Sequence, residues 1–276
     1  MTVVLDQAFE NVERIKKWFS SYDSAIIAFS AGVDSSVLAS CAYKTLGKNA
    51  IAVTSISPAF ANEEITHSQK MAKEIGIELV VVRQDDLSSE GYVTNLVNRC
   101  YFCRSNLAEA IAPVALARKT QIRVDGTHAD DMTSPRPGIK ALREAGFQAP
   151  FVELGFHKHD IRSMARLLSL SNAEKPSEAC LSSRIAFGQK IDEWTLKKIE
   201  DSETFIRNLI GPNILRVRTI GTRAIIELDK DSIQKAIHNR DKIEQRLLEI
   251  GYSSVEIDPS GYRSGKMLEL FVNESM

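Results

Sequence analysis

Short apolar runs alternate with helix-patterned stretches through the first half of the chain, and no other feature restricts its possible folds as much. Residues 24–29, 50–54, 79–83 and 122–125 are β-branched and apolar enough to read as buried parallel strands. Between them, residues 37–44 and 62–75 read as helices, the second carrying Ile65, Met71, Ala72 and Ile75 on one face. Strands and helices alternating at this spacing predict an α/β fold built on a doubly wound parallel sheet. Ligands of such sheets sit beyond the carboxyl ends of the strands.

A loop-rich stretch, residues 172–188, separates this half from a different pattern. Leu196, Ile199, Ile206 and Ile210 mark a helix closed by Gly211-Pro212. Residues 214–220 and 223–228 then read as strands around a two-residue turn, Gly221-Thr222. One further helix is expected to carry Ala236, Ile243, Leu247 and Ile250 on a stripe, and residues 254–257 to form a last strand. The expected organisation is a sheet domain over 1–171, a loop over 172–188 and a smaller C-terminal α+β domain over 189–276. A length of 276 residues accommodates two small domains.

Composition narrows the function classes. Hydrophobic residues make up 43% of the chain, yet the longest apolar runs are a few residues, against the roughly 20 that span a bilayer. The N-terminal VLDQAFENVERIKKWF mixes acids and bases through an amphipathic pattern and lacks the basic and apolar regions of a secretory signal. A formal net charge of −1 argues against a nucleic-acid partner held by a broad basic surface. Four cysteines without a signal point to a reducing cytoplasm, where a Cys-x-x-Cys pair reads as metal or redox chemistry.

After the first expected strand comes Ser30-Ala31-Gly32-Val33-Asp34-Ser35-Ser36, and then a helix. A small-residue turn into a helix N-terminus presents free backbone N–H groups and the positive end of the helix dipole to phosphate. Ser30, Ser35 and Ser36 add hydroxyl donors. The loop holds no lysine, so it is not a Walker A loop. The bland alternative is an ordinary strand-to-helix turn capped by Asp34 or Ser35; it suits one serine better than the whole heptad.

FSAGVDSS resembles the SGGVDSS signature of the PP-loop ATP pyrophosphatases, with Ala31 in place of the first glycine. The resemblance implies ATP, with Mg²⁺, cleaved between the α and β phosphates so that AMP passes to a carboxylate or carbonyl oxygen. It implies ATP contacts from Ser30, Gly32, Val33, Asp34, Ser35 and Ser36, with Asp34 and Ser35 serving the chemical step. Thr54 and Ser55 are expected near the adenine or ribose, and Gly126 and Thr127 of DGTHADD along the nucleotide. Asp130 and Asp131 either order their loop or help hold Mg²⁺.

Cys100 and Cys103, in NRCYFCR, are spaced to reach one metal or cluster. Cys180, in KPSEACLSSR, is a third candidate, and Cys41 reads as packed core. Zinc would need a histidine such as His128 or His157 as fourth ligand. A cubane iron–sulfur cluster can be held by three thiolates with one iron left open. RCYFCR, DGTHADD and KPSEACLSSR, with the phosphate loop, resemble in order the motifs of the LarE-type sulfur transferases over essentially the whole chain.

That resemblance implies adenylation of a carboxylate of pyridinium-3,5-biscarboxylic acid mononucleotide and its conversion to a thiocarboxylate, for a nickel-pincer cofactor. One version of the family sacrifices a cysteine matching Cys180. The other holds a 4Fe–4S cluster on three cysteines, matching Cys100, Cys103 and Cys180, and is fed by sulfide or another sulfur donor. The presence of the Cys-x-x-Cys favours the cluster. A hexamer is also implied.

Arg216 and Arg218 lie on one face of their strand because side chains alternate with period two. Counting outward from the turn pairs Arg218 with Ile225 and Arg216 with Glu227. Strand geometry alone leaves open a solvated edge or an anion grip. The family's substrate-binding Arg-x-Arg and downstream Glu fall on Arg216, Arg218 and Glu227, with Ser183 and Arg184 as further phosphate contacts. Rival readings are a tRNA thiolase and a non-catalytic adenine-nucleotide sensor.

Overall fold

The computed structural model describes residues 2–60, 62–133, 136–176 and 179–263. The strands are β1 (Ala25–Ala28), β2 (Ala50–Ile56), β3 (Glu78–Arg83), β4 (Ile122–Val124), β5 (Phe147–Gln148), β6 (Leu215–Ile220), β7 (Arg223–Leu228) and β8 (Ser254–Ile257). The helices of the first half are α1 (Thr2–Phe19), α2 (Val33–Leu46), α3 (Asn62–Ile75), α4 (Glu90–Val93) and α5 (Arg99–Arg118). They continue as α6 (Pro137–Glu144), α7 (Pro150–Glu153), α8 (Lys158–Leu167), α9 (Glu193–Ile210), α10 (Lys230–His238) and α11 (Arg240–Ile250).

Two compact units divide the chain. The first takes Met1–Ser57, Asn62–Asp85 and Cys100–Glu178; the second takes Pro58–Ala61, Asp86–Arg99 and Ala179–Met276. The first is the expected α/β sheet, ordered β3-β2-β1-β4-β5 with every pairing parallel. β1, β2 and β4 are largely buried, whereas β3, expected as a buried strand, lies at the sheet edge and is half-exposed, with Val81 39% exposed. Ile27 points into a core with Ile15, Phe19, Val37, Leu38, Ile161 and Met164. Ile26, one residue away, points into the opposite core with Ile51, Val53, Leu107 and Ile111. From β1 the chain steps outward to β2 and β3, then returns to the other side of β1 with β4. The reversal between β1 and β4 is a topological switch point, where the loops beyond the strand ends splay apart and leave a crevice.

The second unit carries a three-stranded sheet, β6-β7-β8. β6 and β7 form the expected hairpin, turning at Gly221 with φ 58°, and its register is Arg216↔Glu227 and Arg218↔Ile225. Its core joins Ile206, Leu215, Val217, Ile226, Ile243 and Leu247. The single helix expected around Ala236 to Ile250 is two, α10 and α11. Asn239 leaves the helical region at φ −103°, ψ 18°, and its amide bonds the Lys235 carbonyl at 2.9 Å. Asparagine competes with the helix for backbone partners, and apolar periodicity does not register that competition. No helix among the described residues is long and apolar enough to cross a membrane.

Candidate active site

The Ser30–Ser36 loop leaves the sheet at the switch point. Ala31 stands in the left-handed region at φ 54° and is fully buried, a conformation glycine adopts without the steric cost a Cβ incurs. Asn172 and His67 hold it there: the Asn172 amide donates to the Ala31 carbonyl at 2.8 Å and to Ser36 Oγ at 2.9 Å, and His67 Nε2 lies 3.2 Å from the same carbonyl. Ser35 Oγ accepts from the Ser30 amide at 3.3 Å and donates to the Gly32 carbonyl at 3.2 Å, closing the turn on itself. Val33, Asp34, Ser35 and Ser36 form the first turn of α2.

The two glycines of the site differ in kind. A Cβ on Gly126 would stand 3.1 Å from the Ser35 amide nitrogen and from Asp34 Cβ, so the loop after β4 is pressed against the first turn of α2. A Cβ on Gly32 would meet only Ser30 Oγ at 3.4 Å, an ordinary contact, and Gly32 has an unstrained φ of −71°. Among the described residues nothing requires glycine at 32. Close approach of something external to that backbone would.

Lys158, at the start of α8, donates to both Asp34 carboxylate oxygens at 2.6 Å. It lies 124 residues beyond the loop and stood outside the sequence expectation; nothing in FHKHD distinguishes it from a solvated surface lysine. Thr127 donates its amide at 2.9 Å and its hydroxyl to Asp125, whose other oxygen takes Arg143 at 2.6 Å. Asp130 and Asp131 order the loop: Asp130 accepts the Lys158 amide at 2.7 Å and Asp131 the His128 amide at 3.1 Å. His157 Nδ1 meets Asp130 at 2.6 Å; this bond raises the pKa of His157 and lowers that of Asp130. Thr54 is buried and Ser55 half-buried near the carboxyl end of β2.

None of the four cysteines forms a disulfide among the described residues. Burial pushes Cys41 up to about 12, and it packs in the core. Cys100 and Cys103 lie within the first turns of α5, with Cys100 exposed and Cys103 half-buried. Residues three apart share a helix face. Gln84, after β3, donates its amide to the Cys103 carbonyl at 2.9 Å and reaches Cys103 Sγ at 3.5 Å. Among the described residues no three His, Cys, Asp or Glu side chains are grouped as a metal site. Cys180 belongs to the second unit.

That unit gathers the remaining candidates. Arg184, Arg216, Arg218 and Glu227 are all buried, Glu227 completely. Arg218 grips Glu227 through Nε at 2.9 Å and Nη2 at 2.8 Å, and its Nη1 donates to the Ser183 carbonyl at 2.9 Å. Arg184 forks onto Glu203 of α9 at 2.9 and 3.0 Å. Glu203 also accepts the Val217 amide at 3.0 Å, covering the free edge of β6. Arg216 instead donates to the Leu215 carbonyl at 2.7 Å and lies over the Tyr262 ring, and among the described residues no carboxylate pairs with it. Burial first, and then neighbouring Arg184, lower its pKa.

No family model matches the chain. A protein of Synechocystis sp., described only as uncharacterized, is 37% identical over 258 residues, 93% of this chain and 96% of its own length. Pyridinium-3,5-bisthiocarboxylic acid mononucleotide synthase of Lactiplantibacillus plantarum is 30% identical over 242 residues, 87% of either chain. An uncharacterized protein of Methanocaldococcus jannaschii is 31% identical over 242 residues, 87% of this chain and 90% of its own. The chain belongs to the LarE-type family.

Proposed function

We propose that this member of the LarE-type family is an ATP-dependent sulfur transferase that adenylates a carboxylate of pyridinium-3,5-biscarboxylic acid mononucleotide and replaces its oxygen with sulfur. The observation that carries the reading is Gly32, a glycine with no internal reason to be one, at the head of a 14-residue helix and beside a lysine-paired carboxylate. Backbone N–H groups at that helix end, with the Ser30 and Ser35 hydroxyls and Lys158, would grip the β and γ phosphates. As Lys158 turned to phosphate, Asp34 would be left as the carboxylate for the magnesium that accompanies ATP.

With the phosphates clamped, the substrate carboxylate attacks the α-phosphorus, pyrophosphate leaves and an acyl-adenylate forms. Alignment and charge stabilisation supply most of the catalysis. A sulfur nucleophile then attacks the acyl carbon and AMP departs. Arg216, buried and without a carboxylate partner among the described residues, would hold the anionic part of the mononucleotide.

The thiols suit an iron–sulfur group by their chemistry. Cys100 and Cys103 form no disulfide, lie one turn apart and at a helix N-terminus, with the Gln84 amide aimed at Cys103 sulfur. The resemblance adds Cys180 as third ligand of a 4Fe–4S cluster, which would supply the sulfur.

Two measurements test the reading. Products from ATP and the mononucleotide should be AMP and pyrophosphate, reduced by Asp34→Ala and Ser35→Ala; ADP and orthophosphate would reject it. Anaerobically prepared protein should hold iron and sulfide that Cys100→Ser, Cys103→Ser and Cys180→Ser each lose and Cys41→Ser retains. Loss of H₂S mass from Cys180 after one turnover, with Cys100→Ser fully active, would assign the sulfur to Cys180 itself and leave adenylation standing.

A further inference from the structure

The backbone around Cys180 is held by guanidinium groups. Arg184 Nη1 donates to the carbonyls of Ala179 and Cys180, the latter at 2.9 Å. Arg99 donates to the Ser182 carbonyl at 3.0 Å and Arg218 to the Ser183 carbonyl at 2.9 Å. Carbonyls 179, 180, 182 and 183 therefore each meet an arginine. The amide of Leu181, between them, donates to the Ala59 carbonyl at 2.9 Å.

Each of these arginines is itself fixed. Arg184 is forked onto Glu203 and Arg218 onto Glu227. Arg99 donates to Asn95, a fully buried residue at φ 55° whose amide in turn donates to the Ala186 and Gln189 carbonyls at 2.8 and 3.0 Å. Tyr92 Oη meets Ser182 Oγ. The frame belongs wholly to the second unit.

A guanidinium has five N–H donors. Arg184 directs donors from all three of its nitrogens at protein oxygens, and Arg218 does the same with one oxygen per nitrogen. Arg216 has one such bond among the described residues. Buried arginines of the same neighbourhood thus fall into two kinds, and neighbours that resemble one another in sequence differ in what they have left to offer a ligand.

We propose that Arg99, Arg184 and Arg218 are positioning residues that fix the Cys180 loop; Arg216, given above to the anionic substrate, serves as the contrast. The role given to Cys180 rests on the sulfur-transfer reading above; the holding of the loop does not. A thiol that delivers sulfur, or ligates the group that does, must stand within a fraction of an ångström of its reacting geometry, and rigid support of its backbone provides that.

The test compares Arg99→Lys, Arg184→Lys and Arg216→Gln in the full chain by steady-state kinetics and by amide exchange resolved to residues 179–189. Both lysine variants should lower kcat at least tenfold with KM for the mononucleotide within twofold. They should also speed exchange of the loop at least tenfold while leaving β1 and β2 protected. Arg216→Gln should raise KM at least tenfold and leave loop exchange unchanged. A raised KM with unchanged kcat in Arg184→Lys, or unchanged loop exchange in both lysine variants, would overturn the assignment. Should Arg184→Lys not fold, Arg99→Lys decides, because its guanidinium carries no ion pair among the described residues. If the wild type does not act on the mononucleotide, the sulfur-transfer reading fails, and the exchange arm still decides whether the arginines hold the loop.

Discussion

Replacing Lys158 with methionine should separate what the lysine does for the fold from what it does for the nucleotide. The Lys158–Asp34 pair is close, at 2.6 Å, but the two side chains retain 26% and 27% of their exposure. A pair so accessible to water contributes at most about 1 kcal/mol of stability. In a domain of this size that lowers the melting temperature by roughly 2–4 °C. A lysine on transferring phosphates makes charge-assisted hydrogen bonds worth about 1.5–3 kcal/mol. Their loss lowers kcat/KM for ATP by roughly 10- to 150-fold. A coupled pyrophosphate assay and a thermal melt on the same preparation give both numbers. Asp34→Asn is the companion: it should retain ATP binding and lose turnover if, as proposed, the carboxylate holds magnesium. Stability lowered by more than about 3 kcal/mol with kcat/KM intact would make Lys158 a structural tie and refute the reasoning.

Three further outcomes are expected. Ala31→Gly removes about 1–2 kcal/mol of left-handed strain, gives back about 0.5–1 in backbone entropy and about 0.8 in methyl burial; denaturant midpoints should barely move, whereas Ala31→Val, β-branched at positive φ, should lose stability clearly. Alkylation by iodoacetamide at pH 8, followed by peptide mass spectrometry of iron-free protein, should label Cys100 and spare Cys41, whose pKa is about 12; rapid labelling of Cys41 in folded protein would show the core to be open there. The Asp130–His157 contact should stabilise only within a pH window. The raised His157 value gives stability that is full below its unfolded pKa and is lost as pH rises through the folded one. The lowered Asp130 value gives stability present above its unfolded pKa and lost as pH falls through the folded one. The melting difference between wild type and His157→Gln should therefore peak near about pH 5–6; a constant difference from acid to alkali would reject the contact.

The sheet was legible because its signal is local and redundant. Four apolar runs separated by helix-length segments have few other solutions, and the β6–β7 register followed from one turn and strict alternation. β5 was not legible: two residues, Phe147 and Gln148, have no periodicity to detect, and they pair as a strand only because β4 is beside them. The second unit's claim on Asp86–Arg99 was equally hidden. Its cause is a set of tertiary bonds, from Asn95 to Ala186 and Gln189 and from Arg99 to Ser182, each spanning more than 80 residues.

The same distinction runs through the site. Residue type and strand parity placed Arg216, Arg218 and Glu227 on one face, and the register agrees. Parity describes where a side chain points; it says nothing about what the side chain has already been given to bind. That depends on the Ser183 carbonyl for Arg218 and on Glu203 of α9 for Arg184. Glu203 lies in a helix whose pattern offers it as one acidic residue among several, and only the free edge of β6 makes it special. The loop shows the converse. Ala31 departs from the signature where glycine is the easy choice, yet it takes the glycine conformation, because Asn172 and His67 hold the carbonyl and burial leaves the methyl nowhere else to go. Sequence therefore reports which groups are present and which direction they face. The capacity of each group for a ligand is what remains after the fold has used its share, and for the buried arginines of the second unit that remainder singles out Arg216.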